Sequence, residues 1–555
     1  MDLQNHKIRK QTIELRVKDE EEARGVQDRI GNLYHTVLLP EMGKIFTGFS
    51  GENILRIEKL EIDIGTISQE RLEQDFSAKV LRVLYDEMAR ICSERQGSLS
   101  LPGQQGSIQG APDQGGRWTE GRTISEKTSD LELLVHYLRT GIVPWWASIE
   151  SQTSIEEKLA ALLEDYERVE ILRHELEKKH ARQRIIHQFS GRLILKVLEA
   201  LGAKNPGRIN HLADDLIELH GKHPFTPLSQ SWFRFILWDS LLEQVAAGRR
   251  QAPDIDCLVR ALSLEIETHY NVIAKAIVTS FKEWSRTGLR STLAGLVAIL
   301  EDNLSLADDT SGTGKASSYK GGTIGPATGK TKARSILEEE SSAALEGQDN
   351  RTQEPGKQTL GALKGPIAIP DVPSTSPSTG RRNLPEEDME LESSIKNAGL
   401  VLLWPYLGSF FENTGLMRES AFVDEASAMR AIHLLEYLAT DKEERPEYLL
   451  LLNKLLCGWD TFEPVSRGLR ITDAERSEAE KLLSSVISHW QGLKNTSIAG
   501  FRHSFLQREG ILGKRETGWV LKVEQKPYDV LLEYLPWSIS IIRLSWMKTV
   551  INVTW

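Results

Sequence analysis

Two long stretches of this chain are too poor in apolar side chains to bury a core, and they divide the rest into three blocks. Residues 96–128 contain the run QGSLSLPGQQGSIQGAPDQGGRW, and residues 304–390 contain SGTGKASS, GGTIGPATGK and DVPSTSPSTGRRNLP. Such Gly, Ser, Gln, Thr and Pro compositions cannot offset the entropy of ordering the backbone. The first is expected to be a flexible linker and the second a disordered or extended one. The blocks that remain are 1–95, 129–303 and 391–555, each long enough for its own core.

The first block mixes two periods. Residues 7–17 alternate polar with apolar side chains through Ile8, Ile13, Leu15 and Val17, and residues 54–64 do so through Leu60, Ile62 and Ile64. Period two predicts half-buried strands. Between them Val26, Ile30, Leu33, Val37 and Leu38 recur at helical spacing, as do Leu72, Phe76, Val80, Leu84 and Met88 afterwards. The expectation is a small βαβα unit.

The second block is helical in period throughout. LELLVHYLRTGIVPWW is followed by SIEEKLAALLEDY, where Ser154 and Glu157 stand at capping-box spacing, and then by IIHQFSGRLILKVLEALG. Further helices are predicted over 231–247 and from 255 to about 300. The third block starts helical, in NAGLVLLWPYLGSFFENTGL, AMRAIHLLEYLAT, EYLLLLNKLLCGW and a helix capped by Thr472 with Glu475. Its end turns β-branched and aromatic, in GWVLKVE, WSISIIRLSW and TVINVTW, which predicts a short closing sheet. The fold class is therefore mainly α with small α+β ends.

Charge narrows the partners. A net charge of -11 and 26% charged residues argue against a nucleic-acid surface or a polybasic membrane anchor, both of which need concentrated Lys and Arg. Cys92, Cys257 and Cys457 lie far apart, so neither a disulfide framework nor a CxxC knuckle is expected. The start MDLQNHKIRKQTIEL puts charges where an export signal needs an apolar run, and no stretch is long and apolar enough to span a bilayer. A reduced, cytoplasmic protein is expected.

Candidate chemistry is thin. Gly325 to Thr331 (GPATGKT) is one residue short of a phosphate loop and lies in low-complexity sequence with no strand before it. Glu61 and Asp63 share one side of a strand pattern, as metal-binding or proton-exchanging carboxylates do, but an amphipathic strand has the same solvated face. His220 and His223 form an HxxH pair without a third ligand, the pattern of surface loop histidines rather than of zinc. His136, His187, His433 and His489 fall singly on helices, and no triad or nucleophile elbow is present. Thus no catalytic, cofactor-binding or metal residue is assigned. The aromatic clusters carry more information: Trp145 and Trp146 after Pro144, Trp404 before Pro405 and Tyr406, then Trp537, Trp546 and Trp555. They serve either core packing or a partner surface.

Several stretches resemble the contractile injection system tape measure proteins. HKIRKQTIELRV, LLPEM and LRIEKLEIDIGTI carry the likeness near the start, and LLVHYLRTGIVPWW in the middle. The densest part is NAGLVLLWPYLGSFFENTGL, RAIHLLEYLAT, PEYLLLLNKLLCG, VISHWQGLKNTSIAGFRHSFLQREG and YDVLLEYLPWSISIIRLSWM, and together these cover about half the residues. The resemblance implies a non-enzymatic, cofactor-free assembly protein of a bacterial phage-tail-like particle. It would act in or at the inner tube and baseplate, with tube, baseplate and terminator proteins as partners and self-association inside the tube. The alternative within the same particle is a baseplate or hub scaffold that nucleates a tube without measuring it. A single helix of 555 residues would reach roughly 830 Å, but the Gly/Pro-rich breaks argue for folded ends joined by segments that supply reach.

Overall fold

In a computed structural model, residues 6–17, 20–49, 51, 53–96, 121–147, 149, 151–248, 255–285, 291–311, 392–493 and 495–555 are described. They are mainly helical, with a five-stranded sheet near the C-terminus and two separate two-stranded pairs. Residues 1–306 and 386–555 form one compact unit, and 307–385 is a second unit, of which only 307–311 are described.

In the N-terminal part, Glu20–Leu33 continues through a π-turn, Tyr34–Leu38, into Leu39–Gly48, and Leu72–Gln96 packs against both. Val26 with Ile30, Leu72 with Phe76 and Leu84 with Met88 are buried pairs at i, i+4 and supply most of this core. The predicted strands are shorter than their patterns. Within 54–64 only β1 (Ile54–Ile57) is a strand, and its antiparallel partner is β2 (Gly121–Ile124), at the far end of the stretch read as linker. Leu60, Ile62 and Ile64 still turn inward onto the core. Residues 7–17 form no strand, and Ile8, Ile13, Leu15 and Val17 stay exposed. Alternation alone does not make a strand: a ladder needs a neighbouring strand, and β1 takes β2 as its partner.

Residues 126–304 form a helical layer with one large core. Ser125 caps Glu126–Thr140 by accepting from Thr128 N at 3.1 Å. The next cap is Ser151, which accepts from Ser154 N, so Gln152–Leu162 begins before the Ser154 that the pattern suggested. Helices Tyr166–Leu176, Lys179–Gln188, Gly191–Ala200, Pro206–Lys222 and Gln230–Ala246 follow. Gln230–Ala246 lies centrally and contacts Tyr166–Leu176, Lys179–Gln188 and Pro206–Lys222, which is why it is buried nearly all round. Ile255–Glu265, Tyr270–Ser285 and Ser291–Ser311 complete the layer.

The C-terminal module begins with β3 (Glu392–Ile395), a 3-10 turn Ala398–Leu403 and the helix Trp404–Asn413, which Pro405 starts in its first turn. A two-residue hairpin, β4 (Met417–Arg418) with β5 (Ala421–Phe422), turns on Glu419 and Ser420, both at positive φ. Helices Glu425–Thr440, Leu451–Leu456 and Asp473–His489 pack next. The last carries the expected capping box, with Thr472 Oγ1 accepting from Glu475 N at 3.3 Å and Glu475 Oε2 from Thr472 N at 2.8 Å. The closing sheet is there and is larger than the sequence suggested. β6 (Gly510–Arg515), β7 (Gly518–Val523), β8 (Ile541–Ile542) and β9 (Ile551–Thr554) join β3 in the order β3-β6-β7-β9-β8, with only β7 and β9 parallel.

Candidate functional site

The most heavily buried polar constellation lies where the 126–304 helices meet the C-terminal module. It grows from one helix face. On Lys179–Gln188, Ala181 and Ile185 face the helical core, while Arg184 and Gln188, four residues apart, turn together toward the later module. Both are fully buried. Arg184 Nε lies 3.2 Å from each carboxylate oxygen of Glu447, and its Nη2 donates to Phe462 O. Nη1 donates to Leu138 O at 2.8 Å and Arg139 O at 3.0 Å, two carbonyls that the end of Glu126–Thr140 leaves unpaired. Gly141 ends that helix at φ 73°; a Cβ there would sit 2.8 Å from Glu447 Cδ and 2.9 Å from Arg184 Nε. Only glycine fits both the backbone and the space.

From the other side, Lys454 Nζ donates to Glu447 Oε1 at 2.5 Å, Glu463 O at 2.8 Å and Thr461 O at 3.2 Å. All three ammonium donors are thereby used. Gln188 Nε2 donates to Val465 O at 2.7 Å and its Oε1 accepts from Glu447 N at 3.1 Å. Burial pulls the Lys454 ammonium below its usual pKa, against the opposing pull of Glu447. The buried Tyr137 hydroxyl beside them has no hydrogen-bond partner among the described residues; burial, then Glu447, pushes its pKa well up. Two cations around one carboxylate, closed to solvent, make this a joint between modules. Nothing in it is open to a substrate. Removing one partner from a buried pair costs about 3–5 kcal/mol because the other charge is stranded. Apolar contacts cross the same boundary: Tyr448 packs into the helical core and Ile142 into the C-terminal one.

The residues singled out in the sequence lie elsewhere. Gly325 to Thr331 falls outside the described residues. Glu61 and Asp63 are exposed; Glu61 pairs with Lys59 at 2.7 Å and Asp63 Oδ1 accepts from Gly65 N at 2.9 Å. His220 is not a surface histidine. It stacks on Phe233 at 4.5 Å, meets Phe225 edge-on and hydrogen-bonds Thr226 Oγ1 at 2.8 Å, while His223 pairs with Glu283 at 3.5 Å. An apolar neighbourhood arriving from Gln230–Ala246 buried it, which HxxH spacing does not reveal. His187 stacks on Phe235, and His433 is buried against Ser466 Oγ; burial lowers each to a pKa of about 4. Burial also lowers the pKa of His136, and His489 shares a hydrogen bond of 2.6 Å with the Tyr406 hydroxyl. No group of three or more His, Cys, Asp or Glu among the described residues is placed to hold a metal ion.

The aromatics divide. Trp146 lies under the Arg56 guanidinium, 3.5 Å from its ring centre, and Trp145 is exposed. In the C-terminal module each of five indole N–H groups is tied down: Trp404 to Ser538 O, Trp490 to Leu531 O, Trp537 to Leu402 O, Trp546 to Leu456 O and Trp555 to Asp529 Oδ2, all at 2.9–3.1 Å. These tryptophans pin the closing segments to the helices.

The model of one family, the contractile injection system tape measure protein, matches residues 5–555. The chain belongs to that family. No curated protein and no solved structure matches it. The stretches that carry the family likeness meet at the buried joint: LLVHYLRTGIVPWW holds Leu138, Arg139 and Gly141, and PEYLLLLNKLLCG holds Glu447 and Lys454. Sequence reading missed the joint because its partners lie 263 residues apart. A signal was present in PEYLLLLNKLLCG, where a glutamate and a lysine sit inside an otherwise apolar run and therefore need buried partners.

Proposed function

We propose that this tape measure family member sets the length of the inner tube of a contractile injection particle, acting in or at the tube and baseplate during assembly and without enzymatic activity. The observation that carries this reading is the family match over residues 5–555. The chain's own residues are compatible with it: the most buried charges join modules instead of facing a cleft. No helix among the described residues is long and apolar enough to cross a membrane. In this reading the protein lies in the particle lumen, the 1–95, 129–303 and 391–555 parts act as folded docking elements, and the intervening segments supply reach. Its partners are tube, baseplate and terminator proteins.

The test is tube length, measured by negative-stain microscopy on particles assembled with in-frame deletions and insertions in 304–390. Length that follows chain length is expected. Unchanged length with fewer particles would replace the ruler with a nucleating baseplate or hub scaffold.

A further inference from the structure

Chain connectivity sets a condition that the buried joint makes concrete. The chain leaves the first compact unit at 306 and re-enters it at 386. While the joint is closed, the segment between starts and finishes on one body, so its length does not separate the 129–306 helices from the C-terminal module. A chain that measures a tube from end to end has to part them. We infer that the Arg184–Glu447–Lys454 joint is a latch, closed in the free chain and opened when the protein is drawn out along the growing tube. The inference rests on the length-measuring reading.

The make-up of the joint fits a contact built to open. A permanent seam between two modules is often as stable or more so when apolar residues replace buried ions. Here Arg184, Gln188, Glu447 and Lys454 occupy its centre, and its rim is made of Glu156 with Arg467 at 3.8 Å and His180 with Glu463 at 3.6 Å. Opening parts Arg184 from Glu447 and Phe462 O, and Gln188 from Val465 O and Glu447 N, while Arg184 keeps the Leu138 and Arg139 carbonyls and Glu447 keeps Lys454, so each half presents a polar, wettable face once separate. Closed, the same groups are geometrically demanding: Arg184 alone joins Glu447, Phe462 O and the end of Glu126–Thr140. Such a contact is specific when shut, and opening it also uncovers Tyr448 and Ile142, the apolar side chains that cross the same boundary.

Two measurements test it on the full chain. First, a site-specific protease sequence is inserted after Gly347 and cut; the two halves should co-elute from a sizing column, and should part when Glu447→Ala strands Arg184 and Lys454. Wild-type halves that separate on cutting would overturn the latch. Second, His180→Cys and Glu463→Cys, each side chain being 46% exposed, are introduced with Cys92→Ser and Cys257→Ser and joined by a reductant-cleavable bismaleimide. Added to a particle-producing lysate that lacks the native protein, the joined form should lose full-length tubes and regain them once the linker is cut. Joined protein that builds tubes of normal number and length overturns the latch. Deletions in 307–385 run in parallel tell the two ideas apart: lengths that do not move sink the ruler itself, whereas lengths that move while the joined form works sink only the latch.

Discussion

The N-terminal part and the C-terminal module begin from similar sequence material and end differently. Both place alternating apolar runs beside amphipathic helices, yet in the first Ile8, Ile13, Leu15 and Val17 remain exposed, whereas in the second Trp519, Leu521 and Val523 of β7 are buried in a five-stranded sheet. The difference is supply of partners. The hairpin β6–β7 brings one neighbour, β9 returns in parallel register from Ile551, and tryptophan N–H groups fasten the connecting segments to helix carbonyls. The N-terminal part has one short strand pair and a far smaller core. Of the two ends, the C-terminal one is therefore the densely packed one, and substitutions should register it.

Glycine gives the widest contrast. A Cβ on Gly399 would lie 2.7 Å from Leu506 Cα and would also run into Phe505 O, both backbone atoms that cannot swing away. Gly399→Ala should cost more than about 4 kcal/mol and leave the C-terminal module unfolded. Gly43, inside Leu39–Gly48, has open space where a methyl group would stand, with no atom within 4 Å, so Gly43→Ala should stabilise its helix by about 0.5–1 kcal/mol. Residues 1–96 contain no tryptophan, so urea unfolding followed by tryptophan fluorescence reports the other modules and hydrogen exchange reports the N-terminal part. Native-like fluorescence in Gly399→Ala would break the contrast.

Ion pairs repeat it at lower amplitude. Arg508 is buried, donates to both Asp529 oxygens at 2.7 and 2.9 Å, bonds Ser504 O and Glu524 O, and lies against the Tyr528 and Trp555 rings. Arg508→Ala strands Asp529 and several carbonyls and should cost about 3–5 kcal/mol. Arg29 pairs with Glu73 at 3.1 Å across the N-terminal helices, where both side chains are solvent-exposed, and Arg29→Ala should cost under about 1 kcal/mol. Equal losses in urea titrations would mean that the two ends are packed alike.

How much of this was legible follows the range of the interactions. Helices set by local periodicity and caps, such as the Thr472–Glu475 box before Asp473–His489, could be read from neighbouring residues. The strands of GWVLKVE and TVINVTW were legible because β-branched and aromatic residues concentrate there. β3 (ESSI) and β6 (GILGKR) were not, because their polar and glycine-bearing sequences become strands only beside β7. The 7–17 run failed in the opposite sense, as a strand pattern without a strand to pair with. The joint left one local trace, Glu447 and Lys454 inside the apolar run PEYLLLLNKLLCG, but Arg184 as their partner was invisible to any local rule, since it meets them only when two modules come together.

Acid should probe the same contrast through histidine. In the folded C-terminal module, burial holds His433 at a pKa of about 4, below the ordinary 6.5, with Arg430 adding to the lowering and Ser466 opposing it. Between those two values the unfolded chain binds a proton that the folded one excludes, so stability present at neutral pH is lost as pH falls from 6.5 toward 4. The loss is about 2 kcal/mol at pH 5 and about 3 kcal/mol once the folded pKa is reached. His187, also held at about 4 by burial, titrates in the same window on Lys179–Gln188, so the wild-type slope combines both. His433→Gln keeps a polar group facing Ser466 while removing one titration, and the difference between variant and wild type isolates it. His6 and His35 of the N-terminal part are both exposed, so hydrogen-exchange protection factors there should change less between pH 7 and pH 5 than those around Glu425–Thr440. A His433→Gln urea midpoint that falls with pH as steeply as the wild type would show that this histidine is not held neutral by its surroundings.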